Sequence, residues 1–407
     1  MATNAFLTRV ILKNYKSIAI CDVRLGPLTY LVGANGSGKS NFLNALSFVK
    51  DALSRSLDIA IRERGGIREV QQRSSISGRP RHFTIALDLL LRDGRIGYYA
   101  FEIGSIVGGA YAIQNEECRI SSSEPNRGRS YFHIHHKGKV DSSIKEFPAV
   151  LPDRLALVAL SGNPEFRDLY DALCQMRFYN FEPRRMRGPQ DPRDGSALEL
   201  DGGNISSVIG YLERNSPSAK SLIEEYLSKV VPSIEKVTKT SVGPYETLEF
   251  QQTNADQTRP LKFTAQNMSD GTLRALGVLT ALFQSGVKES PSLIGIEEPE
   301  TALHPGASAS LREALIIAAR HSQVIVTSHS PELLDSPEIG ENELRFVEML
   351  SGESVIGNID QASREVLKDR LFSAGELLRL NQLAPDPELF EAIKGEQLRL
   401  FGDTAAR

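Results

Sequence analysis

The period of the hydrophobic positions changes several times along the chain and predicts a succession of different elements. Apolar runs at residues 6–13 and 26–31 predict short strands, and a glycine-rich turn at 33–38 leads from the second run into a stretch of helical periodicity. Apolar and polar residues alternate between 82 and 140, which predicts an antiparallel β section. The predicted order is therefore strand, loop and helix, followed by antiparallel strands.

Helical periodicity returns between residues 165 and 231, and segment 269–335 then alternates helix, strand, helix and strand. The apolar runs SLIGI and QVIV within that segment lack polar alternation, which is typical of buried parallel strands. We predict an α/β fold with a mixed or parallel core sheet, an antiparallel β section and a helical insertion. The predicted division is a first lobe at 1–145, a mainly helical insertion at 146–235 and a second lobe at 236–407.

Composition and charge argue against several classes of protein, including those that bind nucleic acid or membranes through a high overall charge. The 407 residues include 47 Lys and Arg against 51 Asp and Glu, so the net charge of -4 gives no global attraction to nucleic acid or to acidic membranes. No uninterrupted apolar stretch approaches the roughly 20 residues that span a bilayer, and the first residues do not resemble a signal peptide. We expect a cytoplasmic protein without a membrane partner. Its three scattered cysteines suit reduced thiols.

Two local basic patches stand out against this balance, at residues 62–81 and 177–193. Phe178, Tyr179 and Phe181 lie within the second patch, so phosphate contacts combined with base stacking would suit DNA or RNA. The alternatives are a solvated charged face with aromatic residues packed inward, or a site for an acidic protein partner.

A glycine-rich loop carries the strongest chemical signal. Residues 33–40, GANGSGKS, match the pattern G-x-x-x-x-G-K-[ST] between a predicted strand and a predicted helix. Such a loop lets backbone N–H groups surround a phosphate, while Lys39 reaches the β and γ phosphates and Ser40 ligates Mg²⁺. The predicted nucleotide-binding residues are Asn35, Gly36, Ser37, Gly38, Lys39 and Ser40.

Two later strands end in residues suited to hydrolysis. Glu297 and Glu298 follow the apolar run SLIGI, and His329 follows VIVTS. Ligands gather at the carboxyl ends of parallel strands, so one carboxylate can serve Mg²⁺ and the other can activate water. Because successive side chains of a strand alternate sides, Glu297 and Glu298 should divide these two roles, and His329 would contact the γ phosphate. A separate histidine group, His133, His135 and His136, fits strand positions better than a metal site.

A third element precedes the acidic pair by 27 residues. Ser269, Asp270 and Gly271 come immediately before a predicted helix, LRALGVLTALF. A helix start with small residues can bind an anion. The alternative is a simple N-cap formed by Ser269 or Asp270.

In order and spacing these elements resemble the Walker A, signature, Walker B, D-loop and switch motifs of ABC-type ATPases. Within that class, VILKNYKSI, the EEPExxLHP form and SHSP are similar to the stand-alone SMC/RecF/OLD-like ATPases, as are LDGGN at 200–204 and FSAGELLRL at 372–380. The resemblance implies an ABC-type P-loop head that hydrolyses ATP with Mg²⁺. It also implies a homodimer in which Ser269 and Gly271 of one copy contact the γ phosphate bound by the other.

The chain departs from the family pattern in several places. Asp270 replaces the first glycine of the common signature, and Glu297 replaces the usual metal-binding Asp. The Q-loop glutamine is not assigned, with Gln71 and Gln72 as candidates. No heptad run indicates an SMC arm, and the 78 residues after His329 are too few for the Toprim nuclease domain of OLD enzymes, so we expect no nucleic-acid cleavage by this chain alone.

The sequence therefore predicts an ATPase that dimerises around ATP and couples hydrolysis to DNA or to a separate effector protein, in DNA repair or anti-phage defence. The alternative is a nucleotide-gated scaffold with little or no hydrolysis. A P-loop kinase or GTPase is disfavoured, because neither class uses the Ser269–Gly271 element or a strand-terminal histidine after the acidic pair.

Overall fold

The computed structural model describes residues 6–72, 80–106, 108–121, 128–135, 138–253, 260–284, 290–386 and 400–402. The chain divides into two compact units. The first comprises Met1–Met176, Pro337–Phe372 and Leu377–Arg407, and the second comprises Arg177–Ser336 and Ser373–Glu376.

The first unit begins with an antiparallel sheet and the helices that pack on it. In chain order its elements are β1 (Leu7–Tyr15), β2 (Ile18–Arg24), β3 (Leu28–Val32), α1 (Lys39–Ser54), α2 (Leu57–Arg62), α3 (Ile67–Val70), β4 (His82–Leu90), β5 (Ile96–Ser105), β6 (Tyr111–Ser121), β7 (Ser130–Ile134), β8 (Val140–Ser142), α4 (Ala156–Ala159) and α5 (Pro164–Cys174). Seven strands form one sheet in the order β2-β1-β4-β5-β6-β7-β8, with antiparallel neighbours throughout. The predicted antiparallel section is confirmed.

The second unit carries the predicted alternation of helices and buried strands. Its elements are β9 (Arg177–Tyr179), α6 (Pro183–Arg187), α7 (Ile205–Asn215), α8 (Pro217–Val230), β10 (Ile234–Val242), β11 (Tyr245–Gln252), β12 (Leu261–Thr264), α9 (Asp270–Phe283), β13 (Leu293–Glu297), α10 (Ser308–Ala318), β14 (Gln323–Ser328) and α11 (Pro331–Leu334). Strand β13 pairs in parallel with β14 on one side and with β9 on the other. Strands β10, β11 and β12 form a separate antiparallel sheet.

The chain then continues through β15 (Leu344–Leu350), β16 (Glu353–Gly357), α12 (Gln361–Lys368) and α13 (Ala374–Arg379). Strand β15 pairs in parallel with β3 and antiparallel with β16. The strand that leads into the glycine-rich loop is thus held by a neighbour more than 300 residues later in the sequence.

Strand β9 is a parallel strand that hydrophobic periodicity did not predict. It has only three residues, at the start of the arginine-rich 177–193 patch. Its extended form depends on the register with β13, where Phe178 lies opposite Gly295. The three-part division predicted from the sequence stays a prediction.

Helix α1 is anchored to the antiparallel sheet by an aromatic cluster. The Phe48 ring lies edge-on to Tyr15 and Phe83, with centroid distances of 6.1 and 5.4 Å, and its centroid is 6.2 Å from that of Phe101. The Arg64 guanidinium lies 5.3 Å from the Phe48 centroid and bonds Asp51 at 2.9 Å. These contacts fix the direction of the helix that begins at the glycine-rich loop.

Two further expectations concern thiols and membranes. Cys21, Cys118 and Cys174 are all free of disulfide bonds, as predicted. Among the described residues, no helix combines the length and the apolar character that crossing a bilayer requires.

The aromatic cluster yields a stability prediction. Phe48→Ala should lower the free energy of unfolding by about 3–5 kcal/mol, because it removes a fully buried ring and leaves a cavity between helix and sheet. Denaturant titration measures the change. Leu151→Ala is the matched control, since that side chain is 57% exposed and its truncation should change stability little. Equal effects for the two variants would contradict this account of the core.

Candidate active site

The glycine-rich loop lies in the first unit, between β3 and α1. Gly36 and Gly38 have φ angles of 78° and 108°, in the left-handed region where a side chain is disfavoured. A Cβ on Gly33 would overlap the Val347 carbonyl oxygen of β15, and one on Gly38 would overlap the Ser354 hydroxyl. The glycines are therefore required by backbone conformation and by close packing.

The loop residues are arranged as a phosphate cradle requires. Lys39 is the first residue of α1, and its Nζ donates to the carbonyl oxygens of Gly33 and Ala34 at 2.7 and 2.9 Å. Asn35, Gly36 and Ser40 are exposed, whereas Ser37 is buried. Because Lys39 starts the helix, the partial positive charge of the α1 N-terminus adds to its ammonium charge.

A hydroxyl network that sequence analysis missed supports the loop from beneath. The Ser354 hydroxyl donates to the Ser37 carbonyl oxygen at 2.7 Å and lies 2.6 Å from the Ser17 hydroxyl. The Asn41 side-chain amide donates to Ser17 at 2.7 Å. Ser354 comes from β16 and Ser17 from the turn between β1 and β2, so only the folded chain brings them to the loop.

The second unit brings together the ends of β13 and β14. In their parallel register Glu297 lies opposite Thr327, and the Glu298 N–H donates to both the carbonyl and the hydroxyl oxygen of Thr327 at 3.1 Å. The predicted acidic pair and the predicted histidine therefore stand at one edge of these strands.

Glu298 and His329 form a pair. His329 Nδ1 lies 3.2 Å from Glu298 Oε1, and the Thr301 hydroxyl donates to Glu298 Oε2 at 3.4 Å. About a third of the Glu298 side chain and 41% of the His329 side chain are exposed. An accessible carboxylate that lies beside an imidazole suits general-base chemistry.

Glu300 is a buried neighbour that sequence analysis did not assign. Its Oε1 accepts a hydrogen bond from the Ser328 hydroxyl at 2.7 Å, whereas its Oε2 has no hydrogen-bond partner. Burial raises the pKa of Glu300, and the Ser328 bond opposes that rise. Glu300 thus ties the turn after β13 to the last residue of β14, immediately before His329.

The turn after β13 has strained backbone positions. Glu298 and Ala302 have φ angles of 44° and 65°, which cost about 1–3 kcal/mol each in non-glycine residues. Strain of this kind persists where surrounding contacts impose it, and it is concentrated at functional sites.

The Ser269–Gly271 element caps helix α9. The Ser269 hydroxyl accepts a hydrogen bond from the Thr272 N–H at 3.1 Å, so the N-cap that we kept as an alternative is present. Ser269 and Asp270 are exposed, but Gly271 is buried, and a Cβ there would overlap the Ala302 carbonyl oxygen. Gly271 therefore lets α9 approach the strained turn, a role that the motif alone did not indicate.

The 177–193 patch is largely neutralised by its own acidic neighbours. Arg185 bonds Asp201 at 2.7 Å, Arg187 pairs with Asp270, and Arg193 bonds Glu199 at 2.8 Å. Tyr179 and Phe181 are buried and stack on each other with ring centroids 5.4 Å apart. The interpretation of these two rings as stacking platforms for bases was therefore wrong, because they pack in the core.

The 62–81 patch and the remaining candidates lie in the first unit. Arg62 pairs with Asp58, and Arg64 is bound to Asp51, while Arg73 and Arg79 fall outside the described residues.

Both Q-loop candidates, Gln71 and Gln72, are buried, and Gln72 donates to Glu353 at 3.1 Å. Their role stays a prediction.

No metal cluster emerges from the other histidines. The His133 and His135 rings lie 3.7 Å apart, burial lowers the pKa of His133 to about 4, and His136 falls outside the described residues. Within the described ranges no group of three His, Cys, Asp or Glu side chains could hold a metal ion.

A cavity of about 640 Å³ lies on the outer face of the seven-stranded sheet, away from the motifs. Arg9 and Arg119 line it, but Arg9 pairs with Asp22 and Arg119 with Glu117. Its charges are thus compensated internally, and no glycine-rich loop borders it.

Comparison with known proteins agrees with this geometry. The family model “AAA ATPase domain” matches residues 6–86, and “AAA domain, putative AbiEii toxin, Type IV TA system” matches residues 164–335. The first range contains the glycine-rich loop, and the second contains the acidic pair, His329 and Ser269.

Solved structures extend the likeness across most of the chain. The SMC head bound to the C-terminal winged-helix domain of ScpA has a TM-score of 0.54 at 15% identity, covering 88% of this chain and 98% of that one. The Smc head of Pyrococcus yayanosii has a TM-score of 0.51 at 13% identity, covering 90% and 99%. This protein has the fold of the ABC-like ATPases of the SMC/OLD group. The predicted fold class and family resemblance are confirmed.

Two curated proteins that this chain resembles are nucleases. The OLD nuclease of Thermus scotoductus is 21% identical over 356 residues, which cover 81% of this chain and 60% of that protein. The Old nuclease of Escherichia phage P2 is 21% identical over 364 residues, covering 81% and 57%. The chain therefore spans about three-fifths of the length of these relatives.

The buried carboxyl of Glu300 yields a pH prediction. Because its pKa in the folded state is raised, its contribution to stability falls as pH rises from the unfolded-state value of 4.5 towards the folded-state pKa. Glu300→Gln keeps an acceptor for Ser328 but cannot ionise. Its melting temperature relative to the wild type should therefore increase between pH 5 and pH 8.

Ser328→Ala is the matched control, because it removes the hydroxyl that favours the charged form of Glu300. Its melting temperature should fall further below the wild type at pH 8 than at pH 5. If the differences in melting temperature between the variants and the wild type do not change with pH, Glu300 does not titrate between pH 5 and pH 8.

Proposed function

We propose that the chain binds and hydrolyses ATP, dimerises around it and uses this cycle to control a separate effector protein. The observation that carries the proposal is the Glu298–His329 pair at the ends of two parallel strands, in a chain that also contains a correctly shaped phosphate loop. The AAA and SMC-head likenesses support ATPase activity at the level of the family.

The phosphate-binding step uses the loop and α1. The Lys39 ammonium would move from the carbonyl oxygens of Gly33 and Ala34 to the β and γ phosphates, and the N–H groups between Asn35 and Ser40 would surround these phosphates. The Ser40 hydroxyl and the Glu297 carboxylate are each an oxygen ligand of the kind that Mg²⁺ prefers. Mg²⁺ would neutralise charge on the phosphates.

The hydrolytic step requires a rearrangement of the Glu298–His329 pair. In the structure both oxygens of Glu298 have partners, His329 and Thr301. When His329 turns to the γ phosphate, Oε1 becomes able to accept a proton from water. The water oxygen then bonds to the γ phosphorus, while the bond between the γ phosphorus and the oxygen that bridges it to the β phosphate breaks. The products are ADP and phosphate. The pair therefore acts as a sensor that frees the base only with substrate present.

Dimerisation rests on the exposed Ser269 hydroxyl. In ABC-type ATPases this serine contacts the γ phosphate of a second copy, and here it stands accessible at the N-terminus of α9. The buried contact between Gly271 and Ala302 would make α9 and the turn after β13 move as one surface towards that second copy.

An effector protein is the better-supported partner. Three arginines of the 177–193 patch, Arg185, Arg187 and Arg193, are paired with carboxylates, and its rings Tyr179 and Phe181 are buried. Both facts reduce what the patch offers to single-stranded nucleic acid. One SMC head of the same fold was solved bound to a domain of the protein ScpA. A role in DNA repair or anti-phage defence is consistent with the OLD relatives, which are nucleases.

Glu298→Gln tests the proposed base. The amide cannot accept the proton from water, so the steady-state rate of phosphate release should fall at least about 100-fold, the usual contribution of general-base catalysis. ATP binding should persist, and the variant should accumulate as an ATP-bound dimer in light scattering.

Glu313→Gln is the matched control, because Glu313 is an exposed carboxylate of α10 in the same unit. It should retain the wild-type rate. A wild-type rate for Glu298→Gln would remove this residue from the catalytic role. Absence of phosphate release from the wild type, with ATP-dependent dimerisation intact, would instead support the nucleotide-gated scaffold.

Ser269→Asp tests the dimer contact without removing the helix cap. Both Asp and Asn are good N-caps, but Asp adds a negative charge that would face the γ phosphate of the second copy. ATP-dependent dimerisation of the Glu298→Gln background should be lost with Ser269→Asp and weakened much less with Ser269→Asn. If both variants dimerise at the same ATP concentration as the Glu298→Gln parent, Ser269 does not lie in the interface.

A further inference from the structure

The short helix α11 follows His329 directly, so its position determines where the imidazole lies. Ser330 caps this helix by accepting a hydrogen bond from the Leu333 N–H at 3.4 Å, and the Ser330 N–H donates to the Ser328 hydroxyl at 3.1 Å. From α10, Arg312 donates to the Leu333 carbonyl oxygen at 3.0 Å. Four residues of helix cannot hold their own geometry, so these outside contacts must fix it.

Residues 373–376 supply a second set of contacts to α11. They form an S-x-x-E capping box: the Glu376 N–H donates to the Ser373 hydroxyl at 3.1 Å, and the Ser373 N–H donates to Glu376 Oε2 at 2.7 Å. The Ser373 hydroxyl donates in turn to Asp335 Oδ1 at 2.7 Å. Asp335 is the residue that ends α11.

Gly375 makes the closest approach in this contact. A Cβ there would overlap the Pro331 carbonyl oxygen and would lie 2.9 and 3.0 Å from the Asp335 backbone nitrogen and Cα. Neither neighbour is the end of a flexible side chain, so the backbone itself would have to shift. Gly375 has no positive φ, so the requirement for glycine here is one of space alone.

We propose that the 373–376 segment positions His329 by clamping both ends of α11, with Gly375 against Pro331 and Ser373 against Asp335. The proposal rests on the sensor role of His329 in the proposed function. It makes Ser373 and Gly375 positioning residues, since they reach the substrate only through α11.

The path of the chain gives this contact a consequence for regulation. The segment belongs to the second unit, whereas the residues on both sides, up to Phe372 and from Leu377 onwards, belong to the first. A displacement of α11 when His329 turns to the γ phosphate would therefore pull on both flanking stretches. The nucleotide state would reach α12 and the rest of α13 through the covalent chain.

Gly375→Ala tests the contact without nucleotide. In a free helix this change should be stabilising, because Ala has the higher helix propensity. The clamp predicts the opposite: amide hydrogen exchange at residues 333–336 should become about tenfold faster. Gly188→Ala is the matched control, since its Cβ would meet nothing closer than 4.0 Å and exchange should not change. Unchanged exchange in Gly375→Ala would overturn the proposal.

Steady-state kinetics then distinguishes a change in the position of His329 from a general loss of folded structure. Gly375→Ala and Ser373→Ala should lower kcat about tenfold while KM for ATP changes less than about twofold, because a displaced His329 affects the reaction more than binding. Ser373→Thr keeps the hydroxyl and should restore most of kcat. Equal losses in kcat for Thr and Ala, or an effect confined to KM, would contradict the assignment.

These outcomes stay distinct from failure of the proposed function. If the wild type releases no phosphate, the hydrolytic role of His329 is lost and the kinetic part of this proposal falls with it, but the exchange experiment still decides whether the segment holds α11. If the wild type hydrolyses ATP and Gly375→Ala matches it in kcat and in exchange, the ATPase stands and the clamp is rejected.

Discussion

The parallel pairing of β13 with β14 is the constraint on which the candidate site depends. It places Glu297 opposite Thr327 and leaves Glu298 and His329 side by side where the two strands end. A slip of one residue in this register would turn the side chains to opposite faces and separate the pair. Ser328, the residue after Thr327, forms a buried hydrogen bond with Glu300, and this bond stabilises the same register.

Strained backbone and close packing both occur beside that pair. Glu298 and Ala302 both adopt left-handed backbone conformations, and Gly271 is present because the Ala302 carbonyl lies against it. The same logic holds in the first unit, where Gly33 and Gly38 make room for Val347 and Ser354. Glycine at these positions lets distant strands and helices pack against the functional loops.

The basic residues of the structure differ in the partners that they contact. Arg185 and Arg193 of the 177–193 patch, and Arg9 and Arg119 of the seven-stranded sheet, are each paired with a carboxylate of their own unit, which lowers the net positive charge there. At the glycine-rich loop, the Lys39 ammonium donates to the carbonyl oxygens of Gly33 and Ala34, and Lys39 is the first residue of α1. This positive charge and the helix dipole fit the proposed phosphate site.

The sequence by itself determined the elements whose signal is local. Periodicity predicted the antiparallel section and the buried parallel strands, and spacing predicted the phosphate loop, because a tight anion-binding turn needs glycines and a lysine within a few residues. It also predicted that Glu298 and His329 end neighbouring strands.

Only the tertiary structure decided the contacts between residues far apart in the chain. Three residues of β9 have too little periodicity to identify, and their extended form depends on β13. Ser17 and Ser354 reach the phosphate loop from separate strands, Tyr179 and Phe181 turn inward, and Gly375 lies against Pro331. Local propensity does not encode such contacts, because they follow from which surfaces the folded backbone brings within a few ångströms of each other.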